Sequence, residues 1–520
     1  MRRAMILLTR IAFCVIALCL VLFLIGRCTR PPSLEGRTVS TALFDTGETR
    51  LGRSISPLVE AHPGLSGIYL LADSRDAFAA RSQLTHFAER TLDVQYYIWE
   101  NDMTGTLLFE ALHAAADRGV RIRLLLDDNN TSGLDPTLAA LDSHPNIEVR
   151  LFNPFVIRKP RMGYVTDFSR ANRRMHNKSF TADNQVTIIG GRNVGDEYFG
   201  AAEGLLFVDL DVMAIGPVVT EVSKDFDRYW ASSSSYPLDR IVRPVNPAQI
   251  ASVAAAASRV TRDIAAIAYT TAIRDSPFVR LMVEQHLDFE WAETRMISDD
   301  PVKGLGRAPP EELFAEQLRR VIGEPATDVE LVAAYYVPRT TGVGSFISMA
   351  RRGVKVRVLT NSLAASDGPY VHAGYAKRRK PLLEAGVTLY EMRRLSPDTG
   401  HHLAAGPFGS SGSSLHAKTF SVDRSRFFVG SFNFDPRSRK LNTELGFVMD
   451  SPVLARKIES AFNSSIPANS YEVRLADSGR PYWIEHRGDE LVRYDTEPGT
   501  SFWLRAAVWF LSLLPIDWLL

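Results

Sequence analysis

The sequence contains the pattern His-x-Lys-x4-Asp twice, as His176-Asn177-Lys178-Ser179-Phe180-Thr181-Ala182-Asp183 and as His416-Ala417-Lys418-Thr419-Phe420-Ser421-Val422-Asp423. Each copy is followed by a turn-forming segment that carries an Asn, Asn193 in the first case and Asn433 in the second. The two His are 240 positions apart (416 − 176), and so are the two Asn (433 − 193). One copy would be weak evidence, whereas two copies in the same register predict a duplicated catalytic half.

Each copy has the character of a β-strand. Residues i and i+2 face the same side of a strand, so the His and the Lys of each copy point together. β-Branched and aromatic residues follow each Lys, and the apolar runs 186–189 and 427–429 are candidates for the returning arms of two hairpins. If the two halves pack face to face, two imidazoles, two ammonium groups and two amides meet at one site.

This set of groups suits a phosphodiester. Two ammonium groups and two amides can bind the phosphate oxygens. One imidazole can attack phosphorus and form a phosphohistidine. The other can protonate the leaving oxygen and then deprotonate the incoming alcohol or water. Because the lysines supply the charge stabilisation, we expect neither a metal nor another cofactor. The spacing does not decide which His is the nucleophile.

The segments around the motifs alternate between strand and helix patterns. Residues 92–126 have the pattern of a strand, a helix and a second strand, which implies a right-handed parallel unit. The order returns later in the chain, where residues 352–359 resemble 118–125 and Tyr335-Tyr336 is matched to Tyr96-Tyr97. The repeated order predicts a duplicated α/β fold.

The chain divides into six regions on these patterns. They are an N-terminal membrane anchor or signal (1–30), a loose linker (31–61), a first half (62–235), a helical connecting region (236–325), a second half (326–480) and a C-terminal tail (481–520). The linker is inferred from its content of Pro, Gly, Ser and Thr. In the connecting region, 251–267 and 278–294 are predicted helices without recognisable chemistry.

Both ends of the chain are predicted to contact a membrane. The apolar run 11–26 approaches the ~20 residues needed to cross a bilayer. A cleaved signal peptide is the alternative, but no small-x-small cleavage site follows. The excess of arginines before the run favours a cytoplasmic N-terminus and a body outside the cytoplasm. The run 502–514 is too short to span and its Trp residues suit an interfacial helix, with docking on the body as the alternative.

Charge and cysteine content exclude several classes of protein. The 520 residues include 60 Lys and Arg against 59 Asp and Glu, and a net charge of +1 does not favour a nucleic-acid partner. The three cysteines, at 14, 19 and 28, lie in or beside the anchor, so disulfides do not hold the body together. The basic run Lys377-Arg378-Arg379-Lys380 is interpreted as a solvated face, with anionic headgroup binding as the alternative.

The motifs resemble those of the phospholipase D superfamily. The segments Gly190-Gly191-Arg192-Asn193-Val194-Gly195-Asp196-Glu197, Gly430-Ser431-Phe432-Asn433-Phe434-Asp435-Pro436-Arg437 and Leu514-Pro515-Ile516-Asp517-Trp518-Leu519-Leu520 are similar to bacterial cardiolipin synthases of the C type. The resemblance covers about 62–520 and implies two phospholipase D-type α/β sandwich halves with the active site between them. It also implies an inner-membrane enzyme that transfers a phosphatidyl group onto phosphatidylglycerol. In the C type the donor is taken to be phosphatidylethanolamine, and no accessory protein is identified.

The resemblance also assigns residues to roles. His176 and His416 are the catalytic pair, with His176 as nucleophile. The expected phosphate ligands are Lys178, Lys418, Asn193 and Asn433. The motif carboxylates Asp183 and Asp423 are expected to fix the motif loops or to orient an imidazole rather than to react. The superfamily often has Gly after this Asp, and Asn184 and Arg424 are interpreted as a variation of the turn.

Three classes of function are left by this reasoning. They are a phosphatidyltransferase, a hydrolase that acts on phospholipids or nucleic acid, and a non-catalytic membrane protein. Two complete motifs argue against the third class. Balanced charge and two membrane-seeking ends argue against a nuclease. Transfer or hydrolysis depends on whether water reaches the phosphohistidine, which the sequence leaves open.

Overall fold

The computed structural model describes residues 30–161, 163–202, 206–366, 368–394, 413–488 and 490–514, together with residues 10, 13, 15–17, 19 and 20. Most of the expected N-terminal anchor lies outside the described residues. Among the residues that are described, no helix is both long and apolar enough to cross a membrane.

The secondary structure alternates between strands and helices, as the sequence predicts. The strands are β1 Ser66–Leu71, β2 Thr91–Ile98, β3 Arg121–Asn130, β4 Ile147–Phe152, β5 Ser179–Ala182, β6 Val186–Gly190, β7 Leu206–Val208, β8 Asp211–Ile215, β9 Ser235–Pro237, β10 Glu290–Ser298, β11 Asp328–Ala333, β12 Lys355–Asn361, β13 Thr388–Met392, β14 Ser413–Leu415, β15 Lys418–Val422, β16 Arg426–Gly430, β17 Leu445–Asp450, β18 Ser470–Leu475, β19 Pro481–Arg487 and β20 Glu490–Tyr494. The helices are α1 Arg50–Glu60, α2 Ser74–Phe87, α3 Met103–Asp117, α4 Asp135–Asp142, α5 Gly163–Thr166, α6 Phe168–Ala171, α7 Pro217–Trp230, α8 Pro247–Thr261, α9 Ile264–Arg274, α10 Pro277–Val283, α11 Phe314–Ile322, α12 Thr340–Arg351, α13 Pro369–Glu384, α14 Pro436–Lys440, α15 Pro452–Asn463, α16 Ser465–Asn469 and α17 Phe502–Leu513.

The sheet repeats one topology in the two halves. In the first half β2, β3 and β4 are parallel neighbours, and the antiparallel strands β5, β6, β8 and β1 continue from β2. In the second half β11, β12 and β13 are parallel, and β15, β16, β17 and β10 continue from β11. Strand β10 pairs with β1 through its first residues and with β17 through the rest, so both halves share one continuous sheet. The predicted duplicated α/β fold is confirmed.

The strand register corrects one match made from the sequence. Leu92 pairs with Ala182 and Val329 pairs with Val422, so Leu92 and Val329 are equivalent. Counting along each strand then makes Tyr336 equivalent to Trp99 and Ala334 equivalent to Tyr97. The match of Tyr335-Tyr336 with Tyr96-Tyr97 was therefore wrong by two positions. A two-residue shift keeps every side chain on its face of the sheet, so the hydrophobic pattern does not detect it.

The segment 31–61 is not a loose linker. Residues 50–60 form α1, and the preceding segment lies along the first half. The guanidinium groups of Arg150, Arg123 and Arg121 donate to the carbonyls of residues 38, 40 and 41 at 2.7, 3.0 and 2.7 Å. A Pro- and Ser-rich composition indicates the absence of regular structure, but it does not indicate the absence of hydrogen-bond partners.

The connecting region and the tail also differ from their predicted boundaries. The predicted helix 278–294 ends at Val283, and residues 290–298 form strand β10. The second half does not end at 480, because β18 continues through β19 and β20 as an antiparallel ladder. Short apolar runs fit a buried strand or a helix equally well, so periodicity alone does not separate them.

Helix α17 packs on the body and also exposes an aromatic face. Its inner face, formed by Leu504, Val508 and Leu511, packs against Leu363 and Ala373. Its outer face exposes the large side chains Phe502, Trp503, Trp509, Phe510 and Leu513. Both interpretations of this run are therefore compatible, since one face docks and the other is free to meet a membrane.

The basic run at 377–380 is only partly solvated. Arg379 is 4% exposed, and its guanidinium lies 2.6 Å from a carboxylate oxygen of Glu497 and 2.9 Å from one of Glu391. These partners lie on the segment before α17 and on β13. Burial alone would lower the pKa of Arg379, but Glu391 and Glu497 raise it. Burial alone would raise the pKa of Glu497, but Arg379 helps to lower it to about 2. The interpretation of Arg379 as a solvated residue was wrong, because its buried partners are distant in sequence.

We expect Arg379→Met to lower the free energy of unfolding by roughly 3–5 kcal/mol, since it leaves two buried carboxylates without their cation. The exposed neighbour Lys380 offers the matched control, and Lys380→Met should not measurably change stability. Urea unfolding measures the loss, and limited proteolysis should cut the Arg379→Met chain first between 495 and 501. Equal stability of the two variants would show that the ion-pair network does not hold the tail.

Candidate active site

The two motifs meet where the halves join. Strand β7 of the first half pairs in parallel with β14 of the second, directly before His416. The backbone N–H of His416 donates to Val208 O at 2.8 Å, and that of His176 donates to Thr443 O at 3.0 Å. Each motif is thus held by backbone from the opposite half, and the predicted convergence of the two histidines has a structural basis.

Each imidazole is bonded to a carboxylate of the other half. His176 Nδ1 lies 2.8 Å from Glu444 Oε2, and His416 Nδ1 lies 2.5 Å from Asp209 Oδ2. Both carboxylates lie just before equivalent strands, Asp209 before β8 and Glu444 before β17. With Nδ1 donating to a carboxylate, Nε2 of each ring is the nitrogen left for chemistry.

Sequence reasoning missed both carboxylates. Asp209 follows His176 by 33 positions (209 − 176), whereas Glu444 follows His416 by 28 (444 − 416). The residue types also differ, so comparison of the two copies did not pair them. The available signal was an acidic residue directly before an apolar strand after each motif.

The two histidine–carboxylate pairs differ in their electrostatics. Burial lowers the pKa of His176 well below its usual value, and Lys178, Lys418 and His416 lower it further. Burial raises the pKa of Glu444 to about 7, although Lys178 opposes this. His176 is therefore neutral at pH 7, beside a carboxyl group whose pKa is raised by burial.

The second pair keeps its carboxylate charged. Burial alone would raise the pKa of Asp209, but His416 and Lys418 hold it at about 2. The pKa of His416 is lowered by burial and by Lys418, while Asp209 acts in the opposite direction. An ionised carboxylate at 2.5 Å favours the protonated form of His416. The carboxyl group beside His176 has a raised pKa and gives less of this stabilisation.

The two lysines occupy equivalent places beside the histidines. Lys178 Nζ donates to His176 O at 2.6 Å, and Lys418 Nζ donates to His416 O. Burial lowers the pKa of Lys178 to about 7, with Glu444 opposing the shift. A phosphate anion next to this ammonium would favour its charged form, so the buried lysine suits an anionic ligand.

The two asparagines differ in their contacts. Asn193 accepts from Ile98 N at 3.2 Å and donates to the Tyr198 hydroxyl at 3.0 Å, so its amide is engaged inside the first half. The Oδ1 atom of Asn433 is buried without a hydrogen-bond partner in the described structure. The spare Oδ1 of Asn433 is an acceptor, so a phosphate oxygen would be bound by an Nδ2 N–H of either residue, and Asn193 Nδ2 has a second N–H besides the one given to Tyr198.

The motif carboxylates hold turns and do not contact an imidazole. Asp183 accepts from Arg90 N at 2.8 Å and from Thr91 N at 2.9 Å, and Asp423 accepts from Thr327 N at 2.7 Å. Both lie in the hairpin turn at the far end of the strand that follows the His. The contacts support the first of the two roles considered for these residues and remove Asp183 and Asp423 from the set of catalytic side chains.

The same turns explain the absent glycines. Asp183 and Asn184 have φ of 49° and 51°, and Asp423 and Arg424 have φ of 52° and 51°. Two consecutive left-handed residues are typical of the type I′ hairpin turn, which Asn and Asp tolerate better than other non-glycine residues. The turn variation is confirmed, and Arg424 takes the strained place in the second copy.

Aromatic rings cover both imidazoles. Tyr97 packs edge-on against His176 with centroids 4.9 Å apart, and Tyr198 and Phe207 lie 5.2 and 5.1 Å from the ring of His416. His176 and His416 are only 6% and 8% exposed. These rings limit access of water to the reacting nitrogens.

The connecting region contributes to the site, although its sequence carries no recognisable chemistry. Asp299 Oδ2 accepts from Glu444 N at 3.0 Å and from Lys303 Nζ at 2.8 Å. Lys303 Nζ also donates to Ser438 O at 2.9 Å. Asp299 and Lys303 therefore fix the backbone of the residue that orients His176.

No group of three or more His, Cys, Asp or Glu suited to a metal occurs within the described ranges. The expectation of a metal-free reaction stays a prediction, for which activity after exhaustive chelation is the test.

Comparison with known proteins gives a family. The family described as "Cardiolipin synthase, PLD-like domain" matches residues 82–230 and 318–466, one match in each half. Cardiolipin synthase C of Escherichia coli K12 is 50% identical over 472 residues, which is 91% of this chain and 100% of that protein. A cardiolipin synthase of Staphylococcus aureus Mu50 is 24% identical over 80% of this chain and 71% of its own length.

A solved structure supports the fold. The crystal structure of phosphatidylserine synthase from Haemophilus influenzae Rd KW20 matches with a TM-score of 0.51 and 13% identity, over 82% of this chain and 92% of that one. At this identity the likeness concerns the fold alone.

Asp209→Asn and Glu444→Gln should each lower the turnover number by roughly 10²–10⁴-fold, because the amide NH₂ can donate to Nδ1 and select the wrong tautomer, and a neutral amide does not stabilise an imidazolium. The matched control is Asp183→Asn, which removes a carboxylate of the turn. It should lower the free energy of unfolding by roughly 1–3 kcal/mol and leave turnover of the folded fraction unchanged. Steady-state kinetics and urea unfolding separate the two effects, and a large loss of turnover in Asp183→Asn would return that residue to the catalytic set.

Proposed function

The chain belongs to the phospholipase D-like cardiolipin synthase family, and we propose that it makes cardiolipin by transferring a phosphatidyl group onto phosphatidylglycerol. The observation that carries this proposal is the pair of buried histidines, each held through Nδ1 by a carboxylate of the opposite half. Such a pair provides one nucleophile and one proton carrier on opposite sides of a phosphodiester.

In the first step Nε2 of His176 attacks the phosphorus of the donor phospholipid. The bond from phosphorus to the headgroup oxygen breaks, and His416 gives its Nε2 proton to that oxygen. The headgroup alcohol leaves, and the phosphatidyl group remains on His176. The pKa of His176 is lowered well below its usual value, whereas Asp209 opposes the lowering of the pKa of His416, and this difference supports the division of roles.

In the second step His416 accepts a proton from a glycerol hydroxyl of phosphatidylglycerol. The oxygen attacks phosphorus and the bond from phosphorus to His176 breaks. Cardiolipin leaves, and His176 is neutral again. Lys178 and Lys418 bind the non-bridging oxygens in both steps and stabilise the charge that builds up there. Asn433 supplies the additional amide, and phosphatidylethanolamine is the donor we propose.

Hydrolysis by the same intermediate is the second candidate function. Water in place of phosphatidylglycerol would give phosphatidic acid. The aromatic cover of Tyr97, Tyr198 and Phe207 over the imidazoles favours transfer, since it restricts water while the hydroxyl of a bound lipid is held in place.

The enzyme is proposed to act at the bacterial inner membrane, with the body outside the cytoplasm. The exposed aromatic face of α17, which carries Trp503 and Trp509, supports contact with the headgroup layer. The segment 30–49, which follows the predicted anchor in sequence, lies along the first half.

Lipid analysis of a cardiolipin-deficient host tests the proposed function. Expression of the chain should restore cardiolipin, whereas His176→Ala and His416→Ala should each lower the rate by roughly 10³-fold or more, since the two residues act as a unit. Accumulation of phosphatidic acid without cardiolipin would favour the hydrolase instead. Equal expression of the three proteins is the control.

A trapped intermediate tests the division of roles. With a donor whose leaving group needs no proton, His416→Ala should still accumulate a phosphatidyl adduct on His176, which mass spectrometry of quenched enzyme detects. An adduct on His416 alone would reverse the assignment.

The pH dependence gives an independent check. Asp209 raises the pKa of His416, so Asp209→Asn should move the limb in which activity falls with rising pH to lower pH. Asp183→Asn, which changes a turn and not the site, should leave that limb in place. The rate–pH profiles of the two variants, measured on residual activity, show whether the limb at high pH reports the titration of His416.

A further inference from the structure

An open apolar groove lies on the second half, on the face of the sheet that carries Lys418. Its volume is about 270 Å³. The floor is formed by strands β11 and β15 through Val329, Leu331, Phe420 and Val422. Helices α11 and α12 form the two walls. No residue of the groove has a role in the mechanism derived above.

The walls are apolar over most of their height. Helix α11 contributes Leu318 and Ile322, and α12 contributes Phe346 and Met349. Phe434 closes one end, beside Asn433. A lining of this kind fits hydrocarbon and offers few partners for a polar ligand.

The groove follows the direction of the strands. The floor residues run from Val422, at the hairpin turn, to Phe420, near the start of β15, and the groove continues past Val337 to Arg339. Strands rise about 3.3 Å per residue, so the floor from 329 to 333 is roughly 13 Å long, and the lining continues beyond the strand to Pro338 and Arg339. One leaflet of a bilayer has a hydrocarbon depth of roughly 15 Å, which such a path can accommodate.

At the strands equivalent to the groove floor the first half differs, and its apolar pocket of about 170 Å³ lies elsewhere, beside Val186, Met213 and Ile215. In the first half the equivalent helices α2 and α3 pack against each other. Leu84 and Leu112 are fully or almost fully buried on this side, and Trp99 stacks on Phe109 at 4.3 Å. Helix α11 has 9 residues whereas α2 has 14, and the shorter helix leaves the second sheet face open. The apolar pockets of the two halves therefore differ in position and in volume.

One end of the groove floor lies next to Lys418 along strand β15. Residues 418, 420 and 422 alternate along β15 and share one face, so Phe420 in the groove floor is the next neighbour of Lys418 on that face. The separation of the two residues along the strand is roughly 7 Å. Arg339 and Arg439 lie on the rim at this end, and Glu316 on the rim is paired with Arg439 at 3.0 Å. Positive charge here favours an anionic lipid.

We propose that this groove binds one acyl chain of a phospholipid substrate while its phosphate lies at Lys418. The proposal rests on the proposed function, because it requires a lipid in the active site. It assigns α11 and α12 a role in selecting substrates by chain length.

Two exposed serines on α12 provide a matched pair of variants. Ser345 lines the groove and Ser348 does not. Ser345→Trp should fill the groove and lower kcat/KM for dioleoyl phospholipids by about tenfold or more, since several methylene groups lose their apolar contacts. Ser348→Trp should match the unmodified enzyme. With dihexanoyl phospholipids, whose chains do not reach along the groove, all three proteins should have equal kcat/KM.

Equal activity of Ser345→Trp and the unmodified enzyme on dioleoyl lipid would overturn the proposal. Loss on both lipids, with a lowered melting temperature, would reflect misfolding, and crosslinking then decides. Phosphatidylglycerol with a diazirine at the end of one acyl chain is photolysed with the unmodified full-length enzyme. Adducts in 314–322 or 340–351 support the groove, and adducts confined to other segments exclude it. An unmodified enzyme inactive on both lipids would contradict the proposed function, and the crosslinks would still decide the groove.

Discussion

The active site depends on the reciprocal bonding of histidine and carboxylate between the halves. His176 is hydrogen-bonded through Nδ1 to Glu444 of the second half, and His416 is hydrogen-bonded through Nδ1 to Asp209 of the first half. Neither half contains both a catalytic histidine and the carboxylate that binds it. The interface between the halves must therefore maintain both histidine–carboxylate hydrogen bonds. Shared strand β10, the β7–β14 pairing and the backbone bonds from each motif to the opposite half provide that rigidity.

Duplication supplies two similar histidines, and their surroundings make them different. Asp209 opposes the lowering of the pKa of His416, whereas burial, Lys178 and Lys418 lower the pKa of His176 well below its usual value. Tyr97 covers His176, and its equivalent in the second half is Ala334. Environments that move apart the titration of two like groups are a general way to assign an acid and a base. The same divergence leaves the sheet face of the second half open beside Lys418.

Both ends of the described chain are tied to the body by arginines with distant partners. Arg121, Arg123 and Arg150 bind the segment that begins near residue 30. Arg379 binds Glu497 ahead of α17. Helix α17, which we propose meets the membrane, is thus fixed relative to the second half. A rigid attachment of this kind sets the orientation of the active site toward the lipid surface.

The sequence alone determined the duplicated α/β fold, the two motifs and the chemistry that two His and two Lys support. These conclusions follow from local periodicity and from a repeat at constant spacing. Both can be read along the chain without knowing which distant residues come into contact. The tertiary structure decided the roles of Asp209, Glu444 and Lys303, the buried state of Arg379, and the turn role of Asp183 and Asp423. Each of these depends on a partner far away in sequence, at a spacing that differs between the halves. Burial and charge also act through space, so only the folded arrangement separates His176 from His416.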